Sequence, residues 1–207
     1  QALCEGANHS NWLASFTKLA ALGTIADVVP LRGENRVIAK LGLERLSQSR
    51  HTSGLRALLD SAGLLGEQLT SDHVAFRLAP RINAAGRMST PDLATRLLLL
   101  TDDKRTIEAK QLAESLETEN VRRKREEAEI LSEARRKIEK DPAIGAHAIL
   151  VVWGNSWHRG VIGIVAAKLV DLFHRPAIVF AVDGNVAHGS GRSISNFDLL
   201  SALEHCG

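Results

Sequence analysis

Apolar and polar positions alternate in several distinct ways along this chain. Over 12–22 the apolar residues recur at helical spacing until Gly23 interrupts them. The next stretch, TIADVVPL at 24–31, is β-branched and apolar apart from Asp27. Pro30 forbids a helix through that point, so the expectation is a strand end or loop. Three short helical patterns follow over 34–49, 54–62 and 70–78. Ser53 and Thr70 are natural N-caps for the last two, and Gly63 and Gly66 punctuate the gap between them. TPDLATRLLLL at 90–100 reads as a capped, strongly apolar core helix.

The segment 104–140 has neither Pro nor Gly and is built almost wholly from good helix formers. As one helix it would extend ~55 Å at 1.5 Å per residue. Ala109, Leu112, Ala113 and Leu116 form one stripe, while Val121, Ala128, Leu131 and Ile138 form another on nearly the opposite side. Two opposed stripes predict a rod packed by one body at its start and another at its end. The alternative, a solvated or coiled-coil helix, is weakened because no heptad persists across 118–125.

Asp141-Pro142 ends the rod. AILVVW at 148–153 has strand length, and WHRGVIGIVAAKLVDLF at 157–173 is apolar on one side, with small residues that allow close packing on a sheet. AIVFAV at 177–182 predicts a second buried strand. Asp183-Gly184 is a hairpin-type turn, VAHGSGRSI at 186–194 would return antiparallel, and a last helix follows from Ser195 or Asn196. This β–α–β–β–α order predicts a small α/β module, distinct from the helical segment before the rod.

Composition narrows the class rather than the function. With 207 residues, 44% hydrophobic and 24% charged, the chain can bury a real core and is not disordered by default. A formal net charge of +2 leaves any nucleic-acid argument to local basic clusters. Cys4 and Cys206 lack metal-type spacing and suit free thiols in a reducing, cytoplasmic setting. No apolar run reaches membrane-spanning length. The chain opens at Gln1 without a Met and stops at Gly207 just after a helical pattern, so the expectation is a fragment.

Four places carry candidate chemistry. Asp27, acidic among apolar neighbours, is either a cap or turn residue or a group with a function. PRINAAGRM at 80–88 gathers Arg81, Asn83 and Arg87 beside Gly86; it is either a phosphate-facing segment or a helix end with surface arginines. Gly189, Ser190, Gly191, Arg192 and Ser193 combine exposed backbone N–H groups, hydroxyls and a guanidinium, which suits a phosphate, although a plain glycine-rich turn has the same composition. His158 could contact a phosphate or a metal-bound water, or make a structural bond at a helix start.

As a set, LGTIADVVPL (22–31), PRINAAGRM (80–88), WHRGVIGIVAAKL (157–169) and GSGRSI (189–194), with the charged helix between them, resemble the RecJ exonuclease family of the DHH phosphoesterase superfamily. Each motif is weak alone; their order and spacing cover almost the whole chain. The resemblance implies an α/β protein: the mainly helical end of a DHH catalytic domain at 1–103, a long connecting helix at 104–140, and a truncated DHH-associated, substrate-gripping domain at 141–207. It implies a monomeric cytoplasmic nuclease of DNA recombination and repair, which uses Mn²⁺ or Mg²⁺ and digests single-stranded DNA from a 5′ end. Single-strand-binding protein and helicase partners belong to the same expectation.

Residue by residue, the resemblance makes Asp27 a metal ligand and sets Arg81, Asn83 and Arg87 near the DNA 5′ end in a cleft. Ser190 and Arg192 would hold the 5′ phosphate, Gly189 and Gly191 would give it room, Ser193 would adjoin them, and His158 would lie near the nucleic acid. The family's paired aspartates, a further Asp, its Asp-His-His motif and its Gly-Gly-His stretch have no counterpart here. One carboxylate cannot build a two-metal site, so this polypeptide is expected to be inactive by itself. Two other readings remain open: a superfamily phosphodiesterase for short oligonucleotides or cyclic dinucleotides, and a non-catalytic single-strand-binding relative.

Overall fold

The structure is a computed structural model that describes residues 10–48 and 50–206. Cys4, the expected helix end at Ser49 and the terminal Gly207 lie outside the described residues. The chain divides into two compact units, Gln1–Asn120 and Val121–Gly207, with the division inside the long helix rather than at either of its ends.

The amino-terminal unit is helical. Its elements are α1 (Ser10–Ala26), α2 (Gly33–Leu46), α3 (Ser53–Ser61), α4 (Ser71–His73), α5 (Ala79–Met88), α6 (Asp92–Leu99) and the start of α7 (Thr106–Lys140). Leu22, Ile25, Leu46, Leu58, Leu59, Leu78 and Leu97 lie in one core with Ala109, Leu112, Ala113 and Leu116 of α7. That first stripe of the rod is buried as its spacing predicts.

Three local expectations are corrected. Gly23 does not stop α1, which continues to Ala26, so 24–26 are helical rather than strand or loop. Thr52, not Ser53, caps α3 by accepting from the Leu55 N–H, and the Ser53 hydroxyl instead donates to the carbonyls of Leu100 and Asp102, each at 3.0 Å. The pattern at 70–78 opens with Thr70 as its cap, as read, but passes from α4 through a π-turn (Val74–Leu78) directly into α5. The π-turn has a local cause: Pro80 brings no N–H, and its ring would crowd the carbonyl of Phe76 in a regular α-helix.

The carboxy-terminal unit contains the rest of α7, α8 (Pro142–Ala146), β1 (Leu150–Asn155), α9 (Ile162–Phe173), β2 (Ala177–Asp183), β3 (Val186–Arg192) and α10 (Leu199–Glu204). The sheet order is β1-β2-β3, with β1 and β2 parallel and β2 and β3 antiparallel. Crossover α9 is what a parallel β1/β2 pair requires. The β2–β3 hairpin turns through Gly184 and Asn185, and Gly184 at φ 57° suits the first position of a two-residue loop. The fold is therefore α/β, with the small mixed sheet following the helical segment and the long helix.

Leu150, Val152, Val161, Val165, Leu169, Ala177 and Val179 are fully buried in this unit. The buried apolar positions on this part of α7 are Ile130, Ala134 and Ile138. The expected second stripe is thus corrected: Val121 and Ala128 are exposed and Leu131 is half-buried, leaving Ile138 as its one buried member. Polar burial displaced the pattern. Glu127 is buried between Arg123, whose Nη1 is 2.6 Å from its carboxylate, and Lys168, which forms a second ion pair with it.

Candidate nucleic-acid interface

Alternation along β3 decides what its polar residues can do. Successive strand residues point to opposite faces, so Ser190 and Arg192 share one face and Gly189 and Gly191 the other. The first face meets the start of α9. A Cβ placed on Gly163 would lie 3.0 Å from Ser190 Oγ and 3.5 Å from Arg192 Nη2. A hydroxyl donor and a guanidinium therefore converge over the first turn of a 12-residue helix whose N-cap, Val161, supplies no side-chain cap. Unsatisfied N–H groups and the helix dipole favour an anion at such a point. A methyl group at position 163 would crowd this cradle, and the Ser190 hydroxyl would have to give way by a few tenths of an ångström.

The two glycines of the loop do something else. A Cβ on Gly189 would come within 2.6 Å of the Phe180 ring, and one on Gly191 within 2.8 Å of Leu199. The space they leave is filled by apolar packing on the opposite face of the sheet. Ser193 is also engaged, donating its hydroxyl to the Phe197 carbonyl at 2.7 Å to close the turn into α10. Arg192 Nη1 donates to the Gly191 carbonyl at 2.8 Å, which orients the guanidinium without neutralising it.

His158 is half-buried in the turn before α9. Its Nδ1 accepts the Gly160 N–H at 3.1 Å. An accepting Nδ1 in a neutral ring leaves the proton on Nε2, which is then a donor.

In the amino-terminal unit, Asp27 is the residue that follows α1. The helix ends there with Val28 N–H bonding to the Ile25 carbonyl at 3.1 Å and Val29 N–H to the Thr24 carbonyl at 3.3 Å. That pairing is a Schellman termination, and it requires Val28 in the left-handed region, at φ 54°. A β-branched residue there is strained. Asp27 is exposed and directly precedes this left-handed turn.

The three polar residues of 80–88 do not act as one group. Asn83 and Arg87 are four apart on α5 and share its exposed side. Arg81 sits with the buried Ala84, Ala85 and Met88 and pairs with Glu117 of α7, Nε to Oε2 at 2.6 Å, while its Nη1 donates to the Arg77 carbonyl. The Nε–H is not aligned for a hydrogen bond to that carboxylate, so the contact is an ion pair by distance alone.

A divalent ion demands several oxygen ligands at once. Among the described residues no three His, Cys, Asp or Glu side chains stand close enough to hold a metal. Asp27 alone does not fit such an ion. Among the same residues no helix is long and apolar enough to cross a membrane.

Sequence reasoning missed Gly163 as a site residue. Its signal lay in the run GVIGIV, where a second glycine falls inside the first helical turn, a place where only a close neighbour rewards the loss of a side chain. That neighbour, Ser190, lies on a strand whose register is not legible before the fold is known.

Comparison with known proteins adds to this geometry. A family model described as the DHHA1 domain matches residues 145–207. The single-stranded-DNA-specific exonuclease RecJ of Bacillus subtilis is 44% identical over 191 residues, covering 91% of this chain and 23% of that protein. The protein of the same name from Escherichia coli is 38% identical over 198 residues, covering 93% of this chain and 33% of its own length. The crystal structure of Thermus thermophilus RecJ in complex with Mg²⁺ superposes with a TM-score of 0.78 at 37% identity, covering 93% of this chain and 29% of that one. A Mn²⁺ complex of RecJ from the same organism gives a TM-score of 0.79 at 37% identity, over 93% of this chain and 27% of that one. The chain thus spans between 23% and 33% of the length of these curated relatives.

Proposed function

This chain belongs to the RecJ family as a segment of it, and from that premise we propose that it is the part of a single-strand-specific 5′→3′ DNA exonuclease that grips the 5′ end. The observation that carries the reading is the convergence of Ser190 Oγ and the Arg192 guanidinium on the bare first turn of α9 at Gly163. A terminal phosphate seated there meets a hydroxyl donor, a bidentate cation and helix N–H groups together. Binding one end of the strand in a fixed place sets which bond is presented for hydrolysis, and hence the direction of digestion. His158 Nε2–H is a further donor at the approach to α9.

Asp27 is proposed as one carboxylate ligand of a divalent-metal site, with Mn²⁺ or Mg²⁺ the ions found with solved relatives. A metal held there with ligands from the rest of such a protein would supply charge stabilisation to phosphodiester hydrolysis. The residues of this chain supply binding and orientation, so the chain by itself is proposed to hold a strand without cutting it. Asn83 and Arg87 are proposed to follow the strand near its end, with Arg81 holding their helix against α7. A cytoplasmic role in recombination and repair, and single-strand-binding or helicase partners, rest on the family alone.

The test is a titration of the chain with one oligodeoxynucleotide in 5′-phosphorylated and 5′-hydroxyl forms, followed by fluorescence anisotropy. The phosphorylated form should bind at least about tenfold more tightly, since charge-assisted hydrogen bonds are worth ~1.5–3 kcal/mol. Gly163→Ala and Arg192→Ala should each erase that preference. Equal affinity for both forms would remove the 5′-phosphate grip, and preference for a dinucleotide over a long strand would favour the short-oligonucleotide reading.

A further inference from the structure

At the edge of the sheet away from β3 the same unit has a second feature that the phosphate cradle does not use. A pocket of about 520 Å³ opens between the end of α7, α8 and β1, lined by Arg136, Lys137, Lys140, Asp141, Ile144 and Trp153. That volume falls within the range of small-ligand sites. Its carboxylate, Asp141, is already committed, with Oδ1 accepting the Ala143 N–H at 2.9 Å as the cap of α8. Arg136 and Lys140 are exposed; neither comes within ion-pair distance of a carboxylate among the described residues, although the charge of Arg136 is felt at Glu133. The pocket wall therefore carries surplus positive charge.

Beside that charge stands an aromatic surface. Trp153 is 53% exposed although it lies in the middle of a strand. In the sheet register Trp153 pairs with Phe180, and Phe180 with Gly189. All three lie on the sheet face turned away from α9, so the indole and the half-buried Phe180 ring are cross-strand neighbours there. Gly189 leaves the room that the Phe180 ring occupies against β3.

We propose that Trp153, flanked by Arg136 and Lys140, is a stacking platform for a base of single-stranded nucleic acid, with the basic pair neutralising the adjoining phosphates. Exposed rings next to available cations are the arrangement by which proteins hold single strands without reading sequence. An added peptide strand fits this edge poorly. Lys137 Nζ donates to the Trp153 carbonyl at 2.6 Å and so occupies the acceptor that such a strand would need. Lys137 is also tied to Glu133 at 2.9 Å and lies 5.0 Å from the Trp157 ring, so it fixes the edge rather than moving to a ligand.

The inference takes its ligand class from the proposed function but uses different residues, and the experiment separates the two. The chain is titrated with oligo(dT) carrying a 5′ hydroxyl, which the cradle does not select, with tryptophan emission and anisotropy read together. Emission should be quenched on binding. Trp153→Ala should abolish most of the quenching and weaken binding about five- to a hundred-fold, while Trp153→Phe should restore affinity but not the quenching. Arg136→Ala with Lys140→Ala should lower the slope of log affinity against log salt by about 0.7 for each phosphate no longer neutralised. Unaltered affinity in Trp153→Ala, or equal binding of an abasic strand, would overturn the platform. Capture of a protein at this face with no response to oligo(dT) would overturn it as well.

Discussion

The indole N–H of Trp157 donates to Glu133 of α7 at 2.8 Å, and the same carboxylate lies 2.9 Å from Lys137 Nζ. Chiefly through the indole bond, and then through Lys137, the carboxyl is held below its ordinary range. Its folded value lies below the unfolded one. The stabilisation is therefore complete above the unfolded carboxylate pKa and is lost as pH falls through the folded one. Thermal unfolding of the chain should show its midpoint dropping below about pH 4.5. Glu133→Gln should flatten that part of the curve, and Glu133→Ala should cost about 1 kcal/mol at neutral pH.

Gly154 lies directly under the Trp157 ring. A Cβ there would fall 2.1 Å from the ring carbon Cε2 and 2.3 Å from Nε1, so the ring would have to move away from Glu133. Gly154→Ala should destabilise the carboxy-terminal unit by ~1–3 kcal/mol through overpacking. Urea unfolding followed by tryptophan emission measures this directly. A double variant with Glu133→Gln should cost less than the sum of the two, because they break one arrangement.

In the amino-terminal unit His51 is pushed down to about 4 by burial and then by the charges of Lys18 and Arg56, against a smaller upward pull from a backbone bond at Gln48. Lys18 is buried, donates to the Arg50 carbonyl, and lies 3.3 Å from His51 Nδ1. The folded imidazole resists protonation while the unfolded one does not. Stability should be full above about pH 6.5 and decline as pH falls toward 4. NMR titration of the ring should find it neutral at pH 5.5, and His51→Gln should remove this part of the pH dependence.

Val28→Gly should raise stability by up to ~1 kcal/mol. The left-handed conformation costs a β-branched residue more than it costs glycine, and Val28, 84% exposed, gives up little burial. Differential scanning calorimetry of the two chains would measure the gain. A loss would mean that the valine side chain is held by something the strain supports.

Strong periodic signals were legible before the fold. The first stripe of α7, the β–α–β–β–α order and the hairpin at Gly184 all follow from spacing and turn chemistry. Where reading failed, tertiary contact had overruled the local pattern. Gly23 stays helical because Leu22 and Ile25 on either side of it are held in the core. The second stripe of α7 moved because a buried Glu127 is compensated by Arg123 and Lys168, and Lys168 lies 41 residues away on another helix. At the candidate site, Ser190 and Arg192 were visible by chemistry. The exchange of roles between Gly163 and the two glycines of β3 depends on strand register, which only the folded sheet supplies.

The wide turn at Val74–Leu78 has a consequence for the helix beyond it. A π-turn holds one residue more than the α-helix it interrupts, and each residue accounts for ~100° of rotation about the axis. Winding the same residues at ordinary α-helical pitch would swing everything downstream round by roughly that angle. Arg81 would turn off Glu117, and the flank now shown to solvent by Asn83 and Arg87 would be driven toward the helices behind. The orientation of that whole basic segment is thus set by the pitch of the backbone before it, which Pro80 widens.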